Sequence, residues 1–394
     1  MQRSKLKPQV ILLGFAALLN DAASELVYPL LPVFLTATLG ASPAILGLIE
    51  GAADGLASIV KYFAGSWSDR AGKRKPLVVS GYGLAALSRL VIAFASAWPI
   101  VFAARLLDRT GKGFRSAPRD AMISDVTPPD QRGRAFGFHR ALDHTGAVVG
   151  PLAAILLMQG FGFSVRQAIV FAVIPGALGV VMLAILLREN RAERVTNGAE
   201  PQPEEASVPF LVRRSPFGHA LVAISLFSLS NSSDAFLLLQ AHAAGVSAGM
   251  LPLLWALHHV IKSLFSTMAG SLSDRMDRRP LLIAGWASYA VIYAAFPFAH
   301  SLTAFAALFI LYAIPFTLSE GAERAWIADL VPASARGRSF GMYYLANGLC
   351  VLAGTTLFGE LYQHASPRIA FHTGAALALL AVMAVITTRT RRTA

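Results

Sequence analysis

The chain has 394 residues, of which 55% are hydrophobic and only 14% charged, with a net charge of +12. The apolar residues lie in blocks long enough to cross a bilayer, about 20 residues each, which excludes a soluble domain and indicates a polytopic membrane protein. The one cysteine, Cys350, excludes an intramolecular disulfide and a thiolate metal cluster.

Taken in chain order, the blocks predict twelve spans at about 9–38, 43–64, 77–97, 99–125, 134–159, 165–188, 217–240, 246–269, 281–299, 301–328, 337–362 and 367–388. The first has a basic start and is interrupted by Asn20, Asp21 and Glu25 without a clear cleavage site, so it reads as a retained helix. Residues 189–215 are rich in Glu, Arg, Pro and Ser without apolar periodicity, and read as a cytoplasmic tether between helices 1–188 and 216–394. Basic residues crowd the termini and the even-numbered loops, whereas the odd-numbered loops hold only Arg166 and Arg368. That alternation sets nucleic acid aside and places both termini in the cytoplasm. Short loops and the lack of a targeting segment favour a bacterial inner membrane.

The chain repeats itself at an offset of 204 or 205 residues. Gly65-Ser-Trp-Ser-Asp69-Arg70-Ala-Gly72-Lys-Arg74-Lys-Pro76 returns as Gly270-Ser-Leu-Ser-Asp274-Arg275-Met-Asp277-Arg-Arg-Pro280, and Arg132-Gly-Arg-Ala-Phe-Gly137 returns as Arg336-Gly-Arg-Ser-Phe-Gly341. Asp125 meets Asp329, Pro128 meets Pro332 and Gly150 meets Gly354. With these residues the chain resembles a major facilitator superfamily transporter along essentially its whole length. The string at 65–75 resembles that family's signature between helices 2 and 3, Arg105 its helix-4 arginine, and Gly146-x-x-x-Gly150-Pro151 its antiporter signature. The second basic string departs from the pattern at Asp277, and Ala153-Ala154 depart from the antiporter one. The resemblance implies an all-α fold of twelve transmembrane helices in two pseudo-symmetric six-helix bundles, with helices 1, 4, 7 and 10 lining a central cavity.

An ionised side chain at the centre of a span costs about 2.5–3.5 kcal/mol on insertion scales, so such residues face partners or water. At 100° per residue, Arg105, Asp108, Arg109, Lys112, Arg115 and Arg119 fall at about 0°, −60°, 40°, −20°, −80° and −40°, one arc of the fourth helix. This arc reads either as a site for an anionic substrate group or as a static ion-pair ladder; Arg115 and Arg119 are also explained by snorkelling. Pro118 is expected to loosen the inner end. Asp21 and Glu25, one turn apart, are the leading proton carriers, with a fixed pair to a fourth-helix arginine as the alternative; Asp234, beside Asn231 in the seventh span, extends the argument. Glu50 and Asp54, followed by Lys61, read as gating pairs between halves. Asp54, His139, Arg140, Asp143, His259 and Lys262 form a candidate proton relay near the seam of helices 5 and 8.

Arg119 and Asp120 align with Glu323 and Arg324 in reversed sign, which predicts an inner gate closing across the pseudo-twofold axis. The resemblance implies a conformational latch at the basic turns, formed by Gly65, Asp69, Arg70, Gly72, Arg74, Asp125, Asp274, Arg275 and Asp329, with simple retention of positive charge inside as the alternative. No short His-x-x-x-His pair supports a metal centre, and Gly111-Lys-Gly113 lacks phosphate-loop spacing, so no cofactor is expected. The leading function is a secondary active transporter of a small anionic or amphiphilic molecule, monomeric, proton-coupled and of export type. The alternatives are an importer of an organic anion, by symport or uniport, a membrane enzyme or a non-transporting receptor.

Overall fold

In hydrocarbon every backbone N–H and C=O must be satisfied within its own segment, so the apolar blocks fold as helices. A computed structural model describes residues 6–71, 74–127, 132–189, 215–275, 277–331 and 336–387. Among these, twelve helical units occur and no strand. They are α1 (Pro8–Val27, continued by turns through Thr38), α2 (Pro43–Ala71), α3 (Lys75–Ala93), α4 (Trp98–Asp125), α5 (Arg132–Ile155), α6 (Val165–Leu186), α7a (Pro216–Ser230) with α7b (Ala235–Ala243), α8 (Leu251–Arg275), α9 (Arg278–Ala295), α10 (Leu302–Asp329), α11 (Arg336–His364) and α12 (Pro367–Thr387).

Ten of the described segments are long and apolar enough to cross a membrane on composition alone. The exceptions are α4 and α11, so two of the twelve predicted spans are not carried by hydrophobicity. α4 is too rich in charge, and its helix runs unbroken through Pro118 rather than loosening there. The seventh span departs from expectation in a different way. Asn231 leaves helical geometry at φ −87° and ψ 87°, and α7b resumes only at Ala235. Asn and Ser side chains compete with the helix ladder for backbone partners, which suits them to such a break.

The internal repeat is also a repeat of packing. α1 lies on α5 and α6, α3 on α4 and α6, and α2 on α4; in the second half α7 lies on α11 and α12, α9 on α10 and α12, and α8 on α10. The two sets meet where α2 packs on α11 and α5 on α8. Gly150 and Gly354, equivalent in the repeat, have one task. A Cβ on Gly150 would fall within 3 Å of Ala22 and Leu26 backbone atoms of α1, and one on Gly354 would strike the Leu229 backbone of α7a.

Contacts between the halves run from Pro43 and Gly359, at the end away from the termini, to Ser58 and Gly348 near mid-helix. That far end is closed by Tyr28 of the first half against Trp255 of the second, with ring centroids 4.9 Å apart, and is backed within the second half by Phe236 on Phe358 at 4.7 Å. Toward the termini the helices part. The Asp54 side chain there is 41% exposed and that of Asp120 49%, and Lys61, Lys112 and Arg324 are exposed as well. The molecule therefore holds a central cavity open at the end that carries the basic loops.

Candidate functional site

Two adjoining cavities occupy the middle of the molecule, with volumes of about 230 and 270 Å³. Both are lined by Tyr28, Asp54, Lys112 and Asp234, so they form one polar space between α1, α2, α4 and the α7 break. Of the predicted α4 arc, Arg105, Asp108, Arg109 and Lys112 do face it. Arg115 turns the other way, its guanidinium 5.0 Å from the Tyr82 ring of α3.

The deepest element is an ion-pair network. Arg105 Nε and Nη2 donate to the two Glu50 carboxylate oxygens at 2.9 and 2.7 Å. This fork is bidentate, the strongest geometry for this pair, and both residues are buried, at 6% and 1% exposure. Asp108 Oδ2 lies 3.6 Å from both Arg105 and Arg109, and Arg109 Nε lies 3.1 Å from Asp54. The sequence reading assigned Glu50 and Asp54 to gating pairs between halves and Asp54 also to a relay near the α5–α8 seam; the structure corrects both, because their carboxylates turn into the first half to neutralise α4. Ser233, at the α7 break, reaches Glu50 Oε2 at 3.4 Å and adds one contact from the second half.

Asp21 and Glu25 do not share a partner, and neither is fixed to an arginine of α4. Glu25 accepts from Trp255 Nε1 at 2.6 Å and lies 3.9 Å from His259 Nε2, both on α8. Asp21 accepts from Asn20 Nδ2 at 2.9 Å and packs toward Gly146 of α5. Asp234 accepts from the Tyr312 hydroxyl at 2.8 Å. Among the other relay candidates, Lys262 stands 5.4 Å over the Phe316 ring, His139 is buried with Nε2 unpartnered, Asp143 is half-buried and Arg140 is exposed. Glu25, not Asp54, is the carboxylate that meets His259.

Two features were missed in the sequence. Arg89 of α3, 2% exposed, lines the cavity and donates to the Asn20 carbonyl and side chain and to Ser24 at 3.2, 2.9 and 3.1 Å. Only its solitary charge in an apolar span marked it. The second is the α7 break, for which the run Asn231-Ser-Ser-Asp234 was the available signal.

At the open end, Arg119 pairs with its neighbour Asp120 at 2.9 Å, and Glu323 accepts from Trp286 at 3.2 Å and Tyr343 at 3.3 Å, both in its own half. Arg324 is exposed. Of the expected latch, the described residues show one pairing in each half. Asp125 bonds Arg74, and Asp329 lies 3.5 Å from Arg278; Arg74 and Arg278 are equivalent in the repeat. Gly65, Asp69, Arg70, Gly72, Asp274 and Arg275 lie outside the residues whose side chains are described. Glu189, read as the first residue of the tether, instead accepts from the Arg74 and Lys75 amides, both at 2.8 Å, and so caps α3. In the second half Asp277 does this from within the turn, accepting from the Arg279 amide at 3.3 Å. A carboxylate cap is thus what the departure from glycine supplies.

Sequence and fold comparisons agree with this architecture. The family model of the Major Facilitator Superfamily matches residues 13–257 and 221–394. An uncharacterised MFS-type transporter of Methanocaldococcus jannaschii is 31% identical over 388 residues, covering 95% of this chain and 94% of that one. Multidrug resistance protein 2 of Bacillus subtilis is 24% identical over 225 residues, covering 56% of this chain and 55% of its own length. Among solved structures, the nucleoside transporter NupG superposes with a TM-score of 0.75 at 13% identity, covering 97% of this chain and 99% of that chain. A bacterial homologue of the human lysosomal transporter Spinster, inward-facing and unoccupied, gives 0.71 at 17% identity, covering 98% and 99%. The chain belongs to the major facilitator superfamily and is a membrane transporter, not an enzyme.

Proposed function

We propose that this transporter carries a small molecule with an anionic group out across the cytoplasmic membrane by alternating access, in exchange for protons. The observation that carries this reading is the state of two lysines. Among the described residues, Lys61 and Lys112 project into the cavity without an acidic partner within 4 Å, while Glu50, Asp54 and Asp108 already serve Arg105 and Arg109. An oxyanion brought by the substrate supplies the missing charge. Glu25 and Asp234 line the same cavity and are the coupling carboxylates of this reading.

The halves 1–188 and 216–394 rock about the α2–α11 and α5–α8 seams, with Arg119, Asp120, Glu323 and Arg324 meeting as the inner gate in the opposite state. With the basic loops in the cytoplasm, the cavity described above is inward-facing. Export is supported by the antiporter-like glycines of α5 and by the resistance protein among the relatives. The second reading, import of an organic anion, is favoured by the same lysines.

Everted membrane vesicles separate the two. With an acidic lumen, a proton-exchanging exporter accumulates a labelled organic anion, and collapsing the gradient abolishes accumulation. Anion leaving the lumen under that gradient assigns import by symport instead. Lys112→Met is expected to lower flux at least about tenfold, the loss of one charge-assisted bond, with Lys112→Arg retaining part of it and abundance unchanged in both. Full flux in Lys112→Met removes this residue from the site.

The Arg74–Asp125 pair gives an independent test of the latch. Arg74→Asp is expected to slow transport several-fold, and Arg74→Asp with Asp125→Arg to recover it. Thermal stability should barely move, since an exposed pair contributes about 0–1 kcal/mol. Unchanged flux in the single variant makes the pair a retention charge only.

A further inference from the structure

The two halves of the repeat, so alike in packing, differ in chemistry around the cavity. At the offset of 204, Arg89 becomes Tyr293, Arg105 becomes Phe309, Asp108 becomes Tyr312 and Lys112 becomes Phe316. The register is fixed in space, because Gly81 packs on Gly111 and Arg115 as Gly285 packs on Pro315 and Ser319, at the same offset. Cations therefore come to the cavity's α4 wall from the first half alone.

The two tyrosines that replace charges, Tyr293 and Tyr312, and their neighbour Tyr289 are fully buried and point their hydroxyls at the α7 break. Tyr289 donates to the Ser230 carbonyl at 3.1 Å, Tyr312 to Asp234 at 2.8 Å, and Tyr293 shares a hydrogen bond with Ser232. An unwound stretch in a membrane persists only where its polar groups are re-satisfied or line a water-filled space. Here three hydroxyls hold it open, and it presents a hydrogen-bonding wall, with Asp234 as its carboxylate, to the cavity that Lys61 and Lys112 also line. Capacity on that wall is left over. Asn231 Oδ1 is buried with no partner, and the Asn347 amide shares one hydrogen bond with Ser228 at 2.6 Å, which leaves its other end without a partner among the described residues. Both line the 270 Å³ cavity together with Ser58, the two lysines and the carboxylates of Asp54, which serves Arg109, and Asp234, which serves Tyr312.

We infer that the substrate is a hydroxyl-bearing oxyanion, such as a polyhydroxylated carboxylate or phosphate ester, with its charge on Lys61 and Lys112 and its hydroxyls on Asn231 and Asn347. This rests on the anion reading above and specifies it. A cavity walled by charge and amide offers little to a lipophilic drug, since a buried polar group left unmatched by its ligand costs affinity.

The test is equilibrium binding to the full-length protein in nanodiscs, with gluconate, hexanoate and tetraphenylphosphonium as probes. Gluconate and hexanoate share one charge and a six-carbon chain and differ in hydroxyls. Gluconate is expected to bind at least about tenfold tighter than hexanoate, the value of one or two neutral hydrogen bonds. Asn231→Ala is expected to erase that preference, and Lys112→Met to weaken both anions. Asn347→Ala repeats the test should Asn231→Ala fail to fold. Equal affinity for the two anions, or a preference that survives both asparagine variants, overturns the hydroxyl wall and leaves the anion reading standing. Binding of tetraphenylphosphonium with neither anion bound overturns both.

Discussion

Glu50→Leu alone is expected to destabilise the protein severely and abolish transport, whereas Glu50→Leu combined with Arg105→Leu recovers abundance and thermal stability but not transport. Removing one partner of a buried ion pair leaves an uncompensated charge and costs about 3–5 kcal/mol, while replacing both by apolar residues of similar volume is often neutral or better. Glu50 meets these conditions, at 1% exposure with both oxygens engaged by Arg105. Asp108 keeps Arg109 at 3.6 Å in the double variant, so no new orphan charge arises there. Fluorescence-detected size exclusion and thermal melting read the stability, and vesicle flux reads the function. A single variant as stable as the parent means that water reaches the pair. A double variant that still transports means that the fork is scaffold and not site.

Gly150→Ala is expected to cost about 1–3 kcal/mol, as overpacking does, and to reduce transport more than its stability loss accounts for. The added Cβ would sit against the backbone of Ala22, Glu25 and Leu26, so α1 must move, and it carries Glu25 and Tyr28 of the cavity lining with it. Gly354→Ala should behave alike, through Leu229 and the α7 break. Gly83→Ala is the control. No atom lies within 4 Å of its new Cβ, and alanine in a helix interior is favoured over glycine by about 0.5–1 kcal/mol, so its melting temperature should hold or rise. Equal behaviour of Gly83→Ala and Gly150→Ala would show that helix propensity, not close approach, governs these positions.

The repeat and the helix count were legible because bilayer thickness and hydrophobic blocks share one length scale. The α4 arc was legible for the same kind of reason, since 100° per residue decides which side chains share a face, and Arg105, Asp108, Arg109 and Lys112 do share the cavity. Partner choice was not legible. Whether Arg105 meets Glu25 or Glu50 depends on the axial register of α1 and α2 against α4, which no single helix encodes. The same holds for Asp125, whose bond to Arg74 depends on where α3 starts beside the end of α4. The α7 break escaped because its Asn-Ser-Ser-Asp run is short within an apolar span, and the tyrosines that make it tolerable come from α9 and α10.

The charge on α4 bears on how the chain is made. A segment with Arg105, Asp108, Arg109, Lys112, Arg115 and Arg119 falls short of a spanning helix on composition alone, and each charge placed centrally costs about 2.5–3.5 kcal/mol. Its counter-ions Glu50 and Asp54 sit on α2, which leaves the ribosome earlier. Order of synthesis thus supplies the acids before the arginines need them.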